Sequence, residues 1–270
     1  MENTVSEENT KYQLLQLENK VCVITGAASL RSIGYGTAEL FAAHGAKLVI
    51  LDLAMNDQIA NQLTNHIEVQ IGKKTEIICI QCDIKNAADC DNAIEKSVAH
   101  FGTIDCLVNC AGIVKSEGML SINEQDYDLI MDVNLKGTFN ICKSVLKIFA
   151  KKQAGVIVNL ASLAGQRGGG LVGGSHYAAS KGGVISLTRS IAREFAPMNI
   201  RANVICPAMI ETPMLDGLTD EQLDNVVADI PLKRVGKTSE LAGACLFLAS
   251  ELSGFVTGAT IDVNGGIHIH

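Results

Sequence analysis

The feature that most constrains this chain is an alternation. From Lys20 onward, short apolar runs are separated by helix-length amphipathic segments. The runs are "KVCVIT", "AKLVILD", "EIICIQCD", "IDCLVNCAG", "GVIVNLAS", "IRANVICPA" and "TGATIDVNGG". They are too continuously apolar to be half-exposed, as expected of strands in a parallel sheet covered by helices on both faces. The intervening segments, such as "AADCDNAIEKSVAHFG", "DYDLIMDVNLKGTFNICKSVLKIFAKK" and "SHYAASKGGVISLTRSIAREFA", have the length and period of helices. The pattern predicts an α/β fold, a single doubly wound Rossmann-type domain with about seven parallel strands and its ligands at the strands' carboxyl ends. Residues 1–18 read as a flexible extension and 19–270 as the domain, with a substrate loop near 208–236.

Composition supports one large core. The chain has 270 residues, 47% of them hydrophobic, which is enough for a single domain of this class. A formal charge of −7 argues against a nucleic-acid partner. No apolar run approaches the roughly 20 residues that span a bilayer, and the acidic start "MENTVSEENTKYQ" is neither signal nor basic transit peptide. A cytoplasmic location with no membrane partner is the expectation. The nine cysteines mostly fall in apolar runs, where a thiol packs as a small hydrophobe. Cys79 and Cys82 form a C-x-x-C, but strand alternation sends them to opposite faces, so no redox or zinc pair is expected there.

The stretch "TGAASLRSIGYG", Thr25 to Gly36, joins the first strand to a helix. Unpaired amides near Gly26, Ser29, Ile33 and Gly34 at a helix N-terminus favour an anion such as a pyrophosphate. A degenerate glycine motif is weak by itself. Asp52 adds weight: it ends the next strand, where an acid accepts hydrogen bonds from the adenosine ribose hydroxyls. Its carboxylate disfavours a 2′-phosphate, whereas Arg31 in the loop would attract one. NAD is favoured as cofactor, with NADP less so.

In "SHYAASKGG", Tyr177 and Lys181 lie four residues apart on one helix face. An ammonium beside a phenol is expected to lower its pKa from near 10 and make Tyr177 a general acid or base closer to neutrality. Ser162 ends the fifth run, where it would hold a substrate oxygen. Asn134, mid-helix in "DVNLKG", is placed to fix a proton-relaying water.

Taken together and in this order, "TGAAS…IGYG", "NCAG", "DVNLKG", "NLAS", "YAASK", "IRANVICPA" and "IDVNGG" resemble the short-chain dehydrogenase/reductase family over residues 18–266. The resemblance implies a tetrad of Asn134, Ser162, Tyr177 and Lys181, with Lys181 also binding the nicotinamide ribose. It implies that Asp83 and Ile84 contact adenine, that Asn109, Ala111 and Gly112 support the nucleotide, and that Pro207, Ile210 and Thr212 flank the nicotinamide. Ser32 stands where the family has its middle glycine, and Leu30–Arg31 read as an insertion. Enoyl-thioester reductases carry a somewhat similar loop but lack the close-set Ser and Y-x-x-x-K, so their activity is not transferred.

The leading expectation is an NAD-dependent enzyme interconverting a secondary alcohol and a ketone. The alternatives are a 3-oxoacyl-(acyl-carrier-protein) reductase of fatty-acid synthesis and a non-catalytic nucleotide sensor. By resemblance the enzyme is a homotetramer acting on a small alcohol or ketone. Gly168 to Gly174 and Met209 to Ile230 would shape a modest, largely apolar substrate pocket. No metal is assigned to His268 and His270 in the tail "GIHIH", because a terminal histidine pair is more often solvated.

Overall fold

The computed structural model describes residues 16–170 and 172–270. Seven strands form one parallel sheet in the order β3-β2-β1-β4-β5-β6-β7. These are β1 (Val21–Thr25), β2 (Lys47–Asp52), β3 (Ile77–Gln81), β4 (Cys106–Asn109), β5 (Gly155–Leu160), β6 (Ile200–Pro207) and β7 (Thr260–Val263). The order reverses between β1 and β4, and there a doubly wound sheet opens its ligand crevice. Register places Val23 beside Val49 on one side and Leu107 on the other.

Continuous burial of the central strands explains their unbroken apolar runs. In β1, Cys22 and Ile24 pack into the core under α1 (Ile33–Ala43), α2 (Asp57–Ile71) and α9 (Thr238–Ala249). Val21 and Val23 face the opposite core, covered by α3 (Ala87–Phe101), α5 (Gly137–Lys152) and the end of α7 (Ser175–Phe195). Cys79 and Cys82 divide the same way between the two cores, as their odd spacing predicts. The edge strands β3 and β7 are only partly buried, because each has a neighbour on one side alone.

Two boundaries differ from expectation. Residues 1–15 of the expected extension lie outside the described residues, whereas Leu17 is fully buried and donates to the His44 carbonyl. The packed chain therefore starts by Leu17 rather than after residue 18. The expected long helix across residues 126–152 is three pieces: α4 (Glu124–Met131), a π-helical turn at Asp132–Lys136, and α5. The remaining helices are the single turn α6 (Ala164–Arg167) and α8 (Asp220–Asp229). Among the described residues no helix is long and apolar enough to cross a membrane.

Candidate active site

The loop after β1 solves its insertion locally. Ser32 adopts an extended φ of −83° and caps α1, its hydroxyl accepting from the Tyr35 amide. That backbone suits any residue, so a glycine is not needed here. Leu30 and Arg31 are folded into a short turn in which the Ser32 amide donates to the Ser29 carbonyl and the Arg31 amide to the Ser29 hydroxyl. Glycine is needed on either side. Gly26 has φ +70° and a Cβ there would meet Ala111 at 2.8 Å; one on Gly34 would sit 2.5 Å from the Gly26 carbonyl oxygen. The two glycines thus touch, leaving the α1 N-terminus open to an anion.

Asp52 serves this loop directly. One carboxylate oxygen accepts from Ala28 N and the other from Ala54 N, both at 3.0 Å. A carboxylate offers about four acceptor sites, so two remain open to further donors. Arg31, the residue that would attract a 2′-phosphate, is engaged elsewhere: its guanidinium pairs bidentately with Asp216, at 2.7 and 2.9 Å. This exposed pair joins the β1–α1 loop to the segment after β6, across the mouth of the crevice.

Farther along the crevice, Asp83 caps the turn before α3 by accepting from Lys85 N, and Ile84 is buried against Gly137. Asn109 is buried and bridges the sheet to α5: its carbonyl accepts from Thr25 Oγ1 and its amide donates to Thr138 Oγ1. Thr25 Oγ1 in turn accepts from Ala111 N, and Thr138 donates to the Asn134 carbonyl.

Asn134 lies in the π turn, fully buried. Its side chain holds Ile113 from both ends, accepting from Ile113 N and donating to Ile113 O at 2.9 Å each, and it also donates to Ser180 Oγ. Gly112 separates Asn134 from Lys181, and a Cβ there would lie 3.2 Å from both side chains. The extra backbone residue of a π turn moves a side chain off the regular helical stripe, a device common at functional sites.

Tyr177 and Lys181 share a face of α7 as predicted, and Ser162 meets them from the end of β5. The three line one cleft of about 80 Å³ with Gly112, Ile33, Pro207, Ile210 and Thr212. The electrostatics differ from expectation. Burial pushes the Tyr177 phenol above its ordinary value, and hydrogen bonding with Ser162 works the other way. Lys181 does not make the phenol acidic here: its Nζ lies 5.9 Å from the ring centroid and donates to the Leu160 carbonyl. Burial also pulls the Lys181 ammonium down to about 8. Desolvation is the largest cause of the shift in both groups.

A second cavity, about 300 Å³, opens on the other side of Ser162 and Tyr177. Gly168–Gly170, Val172, Met209 and Val226 line it, from both segments expected to shape the substrate pocket. Asp229, from the second of those segments, also reaches it, as do Arg167 and Ile267 from outside them. Arg167 donates to the Ile267 carbonyl, so the C-terminal tail folds back as part of this wall. Only the Gly-rich composition of the adjoining loop hinted at a rim. Ala208, after Pro207, is not among the residues with positive φ. A larger cavity of about 640 Å³ lies near the opposite ends of the strands, around Asp105 and Arg201, away from these groups.

Comparison with known proteins places the chain in a family. Residues 26–268 match a family model described as Enoyl-(Acyl carrier protein) reductase. An uncharacterized short-chain type dehydrogenase/reductase of Sinorhizobium fredii is 41% identical, covering 94% of this chain and 99% of that protein. A 3-oxoacyl-(acyl-carrier-protein) reductase of Thermotoga maritima is 40% identical, covering 94% of this chain and all of that protein. The crystal structure of gox2181 superposes with a TM-score of 0.88 at 32% identity, over 94% of this chain and 98% of that one.

Proposed function

The chain belongs to the short-chain dehydrogenase/reductase family and is an oxidoreductase of carbonyl and CH–OH groups that uses a nicotinamide dinucleotide, and from that premise we propose that it is an NAD(H)-dependent enzyme interconverting a secondary alcohol and a ketone. The observation that carries the reading is the meeting of Ser162, Tyr177 and Lys181 in one cleft between the crevice and the second cavity.

The cradle fits a dinucleotide. Gly26, Gly34 and Gly112 keep side chains out of the path of the phosphates and nicotinamide end, and the α1 N-terminus supplies amides for the pyrophosphate. Asp52 would take the adenosine ribose, with Asp83 and Ile84 beside the adenine. Pro207, Ile210 and Thr212 would flank the nicotinamide, opposite Lys181, which would hold its ribose. The preference for NAD(H) rests on Asp52: a 2′-phosphate about 4 Å from its carboxylate meets a repulsion of about 4 kcal/mol at an effective dielectric of 20. With Arg31 held by Asp216, its charge is already partnered.

The bound nicotinamide supplies or accepts the hydride. In the reducing direction Tyr177 gives its phenolic proton to the carbonyl oxygen, while the Ser162 hydroxyl donates a hydrogen bond that orients the same oxygen. The raised phenol is fully protonated at neutral pH, the state a proton donor needs. The phenolate left behind regains a proton from solvent. Asn134 acts as a positioning residue: by holding both backbone groups of Ile113 it fixes the wall opposite Tyr177. The oxidising direction reverses each transfer.

A second reading is favoured by the 40% identity to the Thermotoga maritima reductase: reduction of a 3-oxoacyl thioester, with Arg167, Lys233 and Arg234 offered to an acyl carrier. Both readings place the enzyme in solution as a homotetramer in the cytoplasm. Nicotinamide absorbance with NADH and NADPH against acetoacetyl thioester, ketones and polyols separates them. Turnover of simple ketones or alcohols with NAD(H) supports the first reading. Turnover of thioester with NADPH alone overturns it in favour of the second.

A further inference from the structure

The tail beyond β7 does not run into solvent. It returns across the sheet's edge and sets His268 and His270 around Asp262, the third residue of β7. One ligand atom from each of the three lies within 4.8 Å of the others. His270 Nε2 is 3.0 Å from Asp262 Oδ2, and the two imidazoles meet edge to face at 4.8 Å between centroids.

The cluster does not satisfy itself. Gln166, on α6, points its amide nitrogen at Asp262 Oδ1, at 2.9 Å, and at His270 Nε2, at 3.3 Å. His270 Nε2 therefore faces an acceptor and a donor at once. A ring nitrogen that carries a proton for Asp262 has no lone pair for Gln166, and one with a lone pair has no proton for Asp262. Meanwhile Gln166 Oε1 is enclosed without a hydrogen-bond partner among the described residues. Turning the amide over satisfies His270 but sets its oxygen against the Asp262 carboxylate. Every assignment of protons leaves one polar group opposed.

A cation resolves the conflict. It takes the lone pairs of His268, His270 and Asp262 together, and it turns the spare Gln166 oxygen into a fourth donor or a partner for a bound water. We infer that Asp262, His268 and His270 form a site for a divalent first-row transition metal, with zinc the best match. Two imidazoles and one carboxylate suit the borderline character of Zn²⁺, and a tetrahedral centre needs each ligand about 2.0–2.2 Å from the metal. The present spread calls for a small contraction, which the exposed His270 side chain is free to make.

The metal would tie the tail to β7 and α6. Between the two anchors lies Ile267, whose carbonyl takes the Arg167 guanidinium and whose side chain borders the cavity beside Ser162. The site is thus a clasp on the cavity's outer wall, built from none of the residues that line the cleft of Tyr177 and Lys181, and its occupancy is measurable without any substrate.

The test is a titration of the full-length protein, stripped with chelator and kept reduced, with Zn²⁺ by calorimetry and Co²⁺ by visible absorption. The wild type should bind one zinc per chain with a saturable isotherm, and cobalt should give the intense bands of a four-coordinate N/O site. His268→Ala/His270→Ala should weaken that zinc at least about 100-fold, and Asp262→Asn at least about tenfold. His270→Gln serves as a milder variant, and circular dichroism verifies that each is folded. Absence of saturable uptake by the wild type overturns the site. So does unchanged uptake in the double variant, which would assign the metal to the nine thiols instead.

Discussion

Lys181 Nζ donates a 2.9 Å hydrogen bond to the carbonyl oxygen of Leu160, the last residue of β5. The bond pins a buried ammonium at the carboxyl end of the sheet, between Gly112 and the face of Tyr177. Burial brings its pKa from near 10.5 to about 8. The group is present for chemistry at neutral pH in its charged form, at a cost to the fold.

That cost has a definite pH signature. Below pH 8 folded and unfolded chains both carry the proton. Between about 8 and 10.5 only the unfolded chain binds it, so folding becomes more favourable as pH rises. Lys181→Met removes the effect. Wild-type stability should gain on that variant by about 3 kcal/mol across this interval, and lose the gain again as pH falls through 8. Urea unfolding at several pH values measures it, and parallel curves for the two proteins would contradict it.

The contact of Gly34 with the Gly26 carbonyl leaves no room for a methyl group. Gly34→Ala must push the β1–α1 loop off the helix, at a cost of about 1–3 kcal/mol in stability. The same shift displaces the amides meant for pyrophosphate, so NADH affinity should fall at least about tenfold. Ser32→Gly, by contrast, removes only a cap on an unstrained residue and should cost a few tenths of a kcal/mol. Calorimetric melting and NADH fluorescence titration check both.

Asp52→Asn keeps an acceptor for Ala28 N and removes the charge. The ratio of kcat/KM for NADPH over NADH should rise by about tenfold or more, since a pair repulsion of about 4 kcal/mol is the upper bound on what is relieved. An unchanged ratio would show that the carboxylate does not select the nucleotide.

The raised Tyr177 phenol assigns a direction to the pH profile. Ketone reduction needs the protonated phenol and should be level in that group's titration through neutral pH. Alcohol oxidation needs the phenolate and should climb steadily toward alkaline pH, without a plateau near the ordinary tyrosine value of about 10. Initial rates in both directions at fixed saturating cofactor report this.

Much of the fold was legible because burial on two faces writes itself into sequence. Val21 to Ile24 can be apolar at every position only where helices cover both sides of the strand. Tyr177 and Lys181 were legible because four residues make one helical turn. The π turn at Asn134 was not, since a single inserted backbone residue leaves the local pattern intact and is fixed by distant contacts with Ile113 and Ser180. The direction of the Tyr177 shift was missed for a related reason. Spacing on a helix shows a neighbouring amine, whereas the burial that raises the phenol comes from packing by Ile113, Ile130 and Ala164, brought in from other elements. The Arg31–Asp216 pair joins residues 185 positions apart and leaves no local trace.

The central claim is that the Tyr177 phenol exchanges a proton with the substrate oxygen. The direct measurement is turnover and NADH affinity of Tyr177→Phe, which retains the ring and its packing. Turnover should fall by about 10²–10⁴-fold with NADH affinity within about threefold of wild type. Turnover close to wild type in a folded, NADH-binding Tyr177→Phe protein would contradict the account.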